Sequence, residues 1–212
     1  PPLGGTAVAS VETDVTVDGI EDRYGIAPTK RRLPTGGRSR AREALSSFVD
    51  RIGDYPGSIS APLDARAGTS GLSPYLTFGC LSVREVHRHV TDRVPESHAR
   101  DAFVSRLYWN RHYAQKLLDW PGWLDEAVNP ALAGFNRDRR DDDLIAAWKR
   151  GRTGYPMVDA AMRCLAGSGW LNFRMRAMAV SAYFHVLAQP WRIGADWFHH
   201  PLVDSDAAIN YT

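Results

Sequence analysis

The stretch WKRGRTGYPMVDAAMRCLAGSGWLNFRMRAM, residues 148–178, decides the fold class. Pro156 suits the first turn of a helix, where a missing N–H costs nothing because the first amides of a helix have no intrahelical acceptor. Met157, Ala160, Ala161, Cys164 and Leu165 follow at helical spacing and predict one apolar stripe. Gly167 and Gly169 predict its end. Asn172 is an N-cap residue for a second helix, predicted to run through FRMRAMAVSAYFHVL until Pro190, which cannot continue it.

Working outward, the same period recurs. Residues 99–118 predict a long helix that buries Phe103, Leu107 and Leu117. Ser82 followed by Glu85 is a capping box, opening a helix with Val83, Val86 and Val90 inward. Leu45, Phe48, Val49 and Ile52 share one helix face. Strand-like alternation is nearly absent, and the apolar content is Ala, Leu and Met rather than runs of Val and Ile. The expected class is all-α. Residues 1–35, small, polar and rich in turn formers, are expected to be a linker or edge segment. The basic cluster of Lys30, Arg31, Arg32, Arg38, Arg40 and Arg42 reads as solvated charge.

The chain has 212 residues, 44% apolar and 24% charged, which fits a globular domain or a lobe of a larger protein and excludes wholesale disorder. No apolar run reaches the ~18 residues of a membrane span, and the first residues lack a secretory signal pattern. The two cysteines, Cys80 and Cys164, make neither a disulfide framework nor a four-ligand zinc site. They read as small buried core residues in a cytoplasmic protein. A formal charge of +2 hides 23 arginines against three lysines, beside seven tryptophans. Arginine forks bind phosphate and stack on rings, so nucleotide or nucleic-acid contact is one reading; compositional bias of the genome is the other. The histidines, His87 with His89 and His199 with His200, do not form a metal site, and structural or surface roles are expected for them.

Two constellations remain. Gly68-Thr69-Ser70-Gly71-Leu72-Ser73 is a small-residue loop before a helical stretch, able to present backbone amides and hydroxyls to an anion, with an ordinary turn as the competing reading. Arg174 and Arg176 open the helix after Trp170, while Asp204 and Asp206 lie near the end. The apolar neighbours of both segments favour a buried arginine–aspartate pair.

In chain order, GTSGLSPYLTFGCLS, Trp109, the stretch at 148–178, QPWRIGADWF and LVDSDAAIN resemble the flavin-binding lobe of the DNA photolyase/cryptochrome family. The resemblance covers residues 36–212. It implies an all-α, helical domain that holds FAD in a U shape, here incomplete at its C-terminal end and therefore expected to bind FAD poorly alone. It implies that Thr69, Ser70, Gly71, Leu72 and Ser73 bind the FAD phosphates, with Tyr55 nearby. Arg174 joins the cofactor-binding set, Arg176 pairs with Asp204 beside the isoalloxazine, and Asp206 accepts from flavin or ribose. Asn210 would face flavin N5 and stabilise the reduced or semiquinone form.

Trp109 and Trp170 would line the pocket for a flipped-out pyrimidine dimer, with Arg106 and Phe173 beside them. Trp191 matches the middle of the tryptophan chain that photoreduces the flavin. The implied activity is light-driven, carbon–carbon lyase repair of UV-damaged DNA: the reduced flavin lends an electron to the dimer, the cyclobutane ring opens, and the electron returns. The alternative within the family is a cryptochrome-type blue-light receptor. Arg106 stands where the repair enzymes carry a glutamate, and Phe173 where they carry a polar residue. The resemblance also implies a monomer, and an antenna chromophore on an α/β domain ahead of this lobe. It leaves an iron–sulfur cluster undecided and implies no other metal.

Overall fold

A computed structural model describes residues 16–25, 29–31 and 33–211. Among them no strand forms, and the elements are helical throughout. They are α1 (Val17–Tyr24), α2 (Arg38–Asp50), α3 (Tyr55–Ser58), α4 (Ala65–Gly68), α5 (Ser73–Thr77) and α6 (Val83–Arg93). There follow α7 (His98–Asp119), α8 (Asp142–Arg150), α9 (Pro156–Ser168), α10 (Phe173–Ser181), α11 (Trp191–His199) and α12 (Ala207–Asn210). No helix among the described residues is long and apolar enough to cross a membrane.

The capping chemistry places the boundaries. Ser82 Oγ accepts from the Glu85 amide at 3.1 Å, opening α6. Asn172 Oδ1 accepts from the Met175 amide at 3.0 Å, opening α10. Gly169, at φ 69°, closes α9 in the left-handed conformation that glycine adopts without a Cβ penalty. Asp159, one turn into α9, folds the preceding loop back on itself: it accepts from Thr153 N and Oγ1, both at 2.7 Å, and from Gly154 N at 3.0 Å. Burial pushes its carboxyl up, but these hydrogen bonds and the Arg163 charge outweigh that and hold it below the usual carboxylate value.

Two apolar cores result. The first joins α2, α3, α5, α6 and α7, with Phe48, Tyr55 and Phe103 in mutual ring contact at 4.6–5.7 Å. The expected stripe of Leu45, Phe48, Val49 and Ile52 is there, Val49 at its half-buried margin. The second joins α8 to α11 around Trp148, which is fully buried, lies 4.5 Å from the Tyr183 ring and donates to Ala179 O at 3.0 Å. Each large side chain so buried contributes about 1.5–3 kcal/mol.

The structure corrects several expectations. The buried face of α9 is Val158, Ala161, Met162 and Leu165, so Met157 and Ala160 point outward. The expected stripe lies one residue early because Asp159 reads as polar and outward, whereas its loop contacts take it inside. Cys164 is consequently exposed and Cys80 half-buried, rather than core residues. Leu117 is half-buried, because the last turns of α7 run past the first core. The helix expected to reach Pro190 instead leaves α10 through a π turn at Ala182–Val186 and ends by Leu187, with Ala188 at φ 52°. Gln189 is buried there: its Oε1 accepts from Asp141 N at 2.8 Å and its Nε2 donates to Leu187 O at 2.7 Å.

The stretch expected to be a linker contains α1, capped by Thr16 Oγ1 accepting from Gly19 N, and a segment tied to the end of α9: Lys30 Nζ donates to Ala166 O at 3.0 Å and Arg31 N to Gly167 O at 2.7 Å. Residues 1–15, 26–28 and Arg32 of that stretch lie outside the described residues. Arg38 and Arg42 both face Glu85, at 2.8 and 3.5 Å, and Arg40 pairs with Glu43 at 2.7 Å.

Candidate functional site

Residues 69–73 leave α4 and enter α5. Thr69 Oγ1 donates to Ala65 O at 2.5 Å, which anchors the loop at its start, and buried Leu72 pins its end in the first core. Gly71 between them takes φ 64° and has open space where a Cβ would stand. Leu72 N reaches Ser70 Oγ at 3.3 Å, while no acceptor among the described residues meets the amides of Ser70 and Gly71. The loop thus offers amides and hydroxyls on an uncrowded surface, the donor set a phosphate or pyrophosphate requires. Ser73, half-buried, opens α5. Tyr55 lies beneath in the first core; burial pushes its phenol up to about 12, against the opposing charge of Arg106.

The α9–α10 turn supplies the second part. Gly169 O accepts from Val203 N at 2.9 Å, so the segment before Asp204 is laid against the turn. Arg176, one turn into α10, donates through Nε to Leu171 O at 2.8 Å, which fixes the guanidinium plane. Its Nη2 then meets both Asp204 oxygens, at 2.8 and 2.7 Å. The Asp204 side chain is 2% exposed, so this is a desolvated charge-assisted pair, as the apolar neighbours predicted. Thr77 Oγ1, at the end of α5, reaches Asp204 O at 3.4 Å. That contact brings the hydroxyl loop's helix and the arginine–aspartate pair to one place between the two cores.

Asp206 caps α12 by accepting from Ala208 N at 2.9 Å. Asn210, at the end of α12, donates from Nδ2 to Ser205 Oγ at 2.9 Å. Ser205 Oγ in turn lies 2.6 Å from His199 Nδ1. Neither His199 nor Ser205 carries a site expectation from the sequence; they are adjacent only because the loop between α11 and α12 doubles back. Arg192 is a further residue that sequence reasoning missed. It pairs with Asp196 at 2.9 Å and Asp125 at 3.1 Å, bonds Leu124 O, and stacks over Tyr211 and Trp191. Its neighbour Asp196 accepts from Tyr211 OH at 2.9 Å. An arginine directly after Trp191 was the available signal, but its partners come from distant segments.

The remaining expected site residues are spread more widely. Trp109 on α7 is half exposed and packs on His112 and Tyr113 of its own helix. Trp170 is half-buried, with the Arg66 guanidinium 5.7 Å over its ring. No ring contact joins Trp109 to Trp170 among the described residues. Arg106, Phe173 and Arg174 are exposed, and Trp191 is half-buried at the start of α11.

The chain resembles known proteins in both sequence and fold. A family model described as the FAD-binding domain of DNA photolyase matches residues 103–212. A deoxyribodipyrimidine photo-lyase of Streptomyces griseus is 38% identical over 94% of this chain and 43% of its own length. A chloroplastic/mitochondrial cryptochrome DASH of Ostreococcus tauri is 32% identical over 83% of this chain and 33% of its own length. The crystal structure of a bacterial class III photolyase from Agrobacterium tumefaciens superposes with a TM-score of 0.80 at 32% identity, covering 90% of this chain and 41% of that one. The chain therefore spans about two fifths or less of the relatives it matches.

Proposed function

Since the chain belongs to the photolyase/cryptochrome family, within its FAD-binding domain, we propose that it serves flavin-dependent, blue-light-driven repair of UV-induced pyrimidine dimers in DNA. The observation that carries this reading is the meeting of the hydroxyl loop and the Arg176–Asp204 pair through Thr77. The donor set fits the cofactor. The amides of Ser70 and Gly71, which no described residue meets, and the hydroxyls of Ser70 and Ser73 suit its phosphates, with Thr69 anchoring the loop through Ala65 O, Leu72 seating it and Tyr55 in the core behind it. Arg174, exposed on the same helix as Arg176, adds positive charge; Asp206 and Asn210 supply polar contacts to the ring and ribose. Bound there, FAD supplies light absorption and one-electron chemistry.

The protein's part is to orient and to exclude water. Arg176 holds the Asp204 carboxylate fixed, so its field at the cofactor edge needs no rearrangement. Trp109 and Trp170 offer stacking faces for an extruded lesion, with Arg106 and Phe173 at the margin. Extruding a damaged pair costs less than extruding a normal one because it stacks poorly. Exposed arginines meet the flanking phosphates, which makes binding salt-dependent. Trp191 is proposed as one carrier in flavin photoreduction. We assign residues 1–35 to a linking segment and 36–212 to part of the FAD-binding lobe, acting as a monomer in the cytoplasm and served by an antenna chromophore on another domain.

The test is repair of a thymine-dimer oligonucleotide under blue light by the full-length, flavin-reduced protein. Loss of dimer is the expected result, and unchanged dimer content with flavin bound and reduced would sink the reading. A cryptochrome-type receptor is the second reading, favoured by Arg106 and by Phe173, which is 64% exposed and brings no polar group to a lesion. It predicts light-dependent partner binding without repair.

A further inference from the structure

His199, Ser205 and Asn210 form a closed hydrogen-bonded cluster, and the proposed function gives its first two members no role. His199 ends α11, Ser205 lies in the turn before Asp206, and Asn210 ends α12. Ser205 Oγ is 2.6 Å from His199 Nδ1, and Asn210 Nδ2 lies 2.9 Å from that oxygen and 3.3 Å from that nitrogen. All three residues are half-buried.

The donor inventory gives the cluster a direction. An amide NH2 can only donate, so Ser205 Oγ accepts from Asn210. The same NH2 lies 3.3 Å from His199 Nδ1 and can only donate there, so Nδ1 is an acceptor, the ring proton sits on Nε2, and the serine proton is directed to Nδ1 as well. The chain of donation therefore runs from Asn210 through Ser205 to His199. It commits the amide nitrogen of Asn210 to the protein and leaves Oδ1 uncommitted. No residue among those described meets that Oδ1. An imidazole protonated on Nδ1 would reverse the sense: it would donate to Ser205, whose proton would then seek the amide carbonyl and turn the amide over.

We propose that Ser205 and His199 are positioning residues that set which end of the Asn210 amide faces the cofactor. This rests on the proposed function, with Asn210 at flavin N5. An Oδ1 left uncommitted is an acceptor, the match for the N5–H of reduced flavin, and so would favour the reduced cofactor. The charged and titratable groups around the imidazole come from each neighbouring segment. On its own helix stand His200, its ring 6.3 Å away, and the Arg192–Asp196 pair. From the tail comes Tyr211, its ring 5.8 Å away and its hydroxyl on Asp196. From the loop comes Asp206, engaged in capping α12. Each of them already has a partner or lies to one side, so the Nδ1 contact is left to Ser205 and Asn210.

The test uses the full-length protein purified with its flavin and two independent readouts. Nitrogen NMR of His199 near neutral pH should report the Nε2–H tautomer in the wild type and a mixed tautomer in Ser205→Ala. The midpoint potential of bound FAD should fall in Ser205→Ala and His199→Phe, with reduction about tenfold less favourable, or about 30 mV for two electrons. Ser205→Thr, which keeps the hydroxyl, should restore both. An Nδ1–H tautomer in the wild type overturns the relay, and unmoved potentials with FAD bound overturn its positioning role. A full-length protein that binds no FAD removes the cofactor reading, and the positioning role with it.

Discussion

Arg176 and Asp204 show what a single residue decides in this chain. The carboxylate is 2% exposed and both its oxygens rest on one guanidinium nitrogen, so removing the arginine strands a buried charge. Arg176→Ala should cost about 3–5 kcal/mol of stability in chemical denaturation. A loss under about 1 kcal/mol would mean that water already screens the pair. Asp159 makes a pH-dependent contribution of the same kind. Its folded-state carboxyl is held below the value of 3.8 it has when unfolded, so its stabilisation is fully present above that pH. It is lost as the pH falls through the folded value. Asp159→Asn should therefore destabilise the fold by about 1–2 kcal/mol at pH 7, read as a lower urea midpoint, and the gap to wild type should narrow under acid conditions. A gap that stays constant down to acid unfolding would contradict this. Of these roles the sequence made one legible: a buried arginine–aspartate pair followed from charged residues in apolar surroundings, and the family resemblance singled out Arg176 and Asp204 as its members. The importance of Asp159 was not, since its partners are loop amides that have no side-chain signature.

At the level of elements, the caps were the most readable feature and helical phase the least. Ser82, Asn172 and Gly169 declare their positions through local chemistry, a hydroxyl, an amide and a missing Cβ, and the helices begin and end there. The face that α9 buries is not a local matter. It depends on Asp159 being drawn inside by Thr153 and Gly154, and that shifts the stripe by one residue and exposes Cys164. The Ser205–His199–Asn210 cluster was hidden for a related reason, because only the turn between α11 and α12 makes these residues neighbours. The α9–α10 turn has its own test. A Cβ on Gly169 would stand 2.5 Å from Val203 Cγ1 and 3.1 Å from Pro201 O, at a φ of 69°. Gly169→Ala should destabilise by about 1–3 kcal/mol and displace the segment that carries Asp204, read as weaker FAD binding alongside a lower Tm. A variant that keeps both unchanged would show that the turn can relax without moving Asp204.

The whole molecule is two cores with a candidate cofactor site at their junction. The hydroxyl loop belongs to the first core, Arg176 to the second, and the Thr77–Asp204 contact and the packing of α12 on α7 join them. A ligand held from both sides stabilises each core through the other. FAD at a hundredfold excess over its Kd should add about 2.7 kcal/mol, and hydrogen exchange should slow in α5 and α10 together. Slowing confined to one of them would place the ligand on a single core.

The π turn that closes α10 has a bearing of another kind. A π turn holds one residue more than an α-helical turn, so it is the local signature of a one-residue insertion absorbed without breaking the helix. Each residue in a helix rotates the chain beyond it by about 100°. The extra residue within Ala182–Val186 therefore sets the direction in which the chain leaves α10 at Leu187, two residues before the buried Gln189 whose Oε1 accepts from Asp141 N. Deleting a residue within the π turn would return the end of α10 to α-helical geometry. The helix would survive, but the chain would leave it about 100° away from its present direction, and Gln189 would lose its contacts with Asp141 N and Leu187 O.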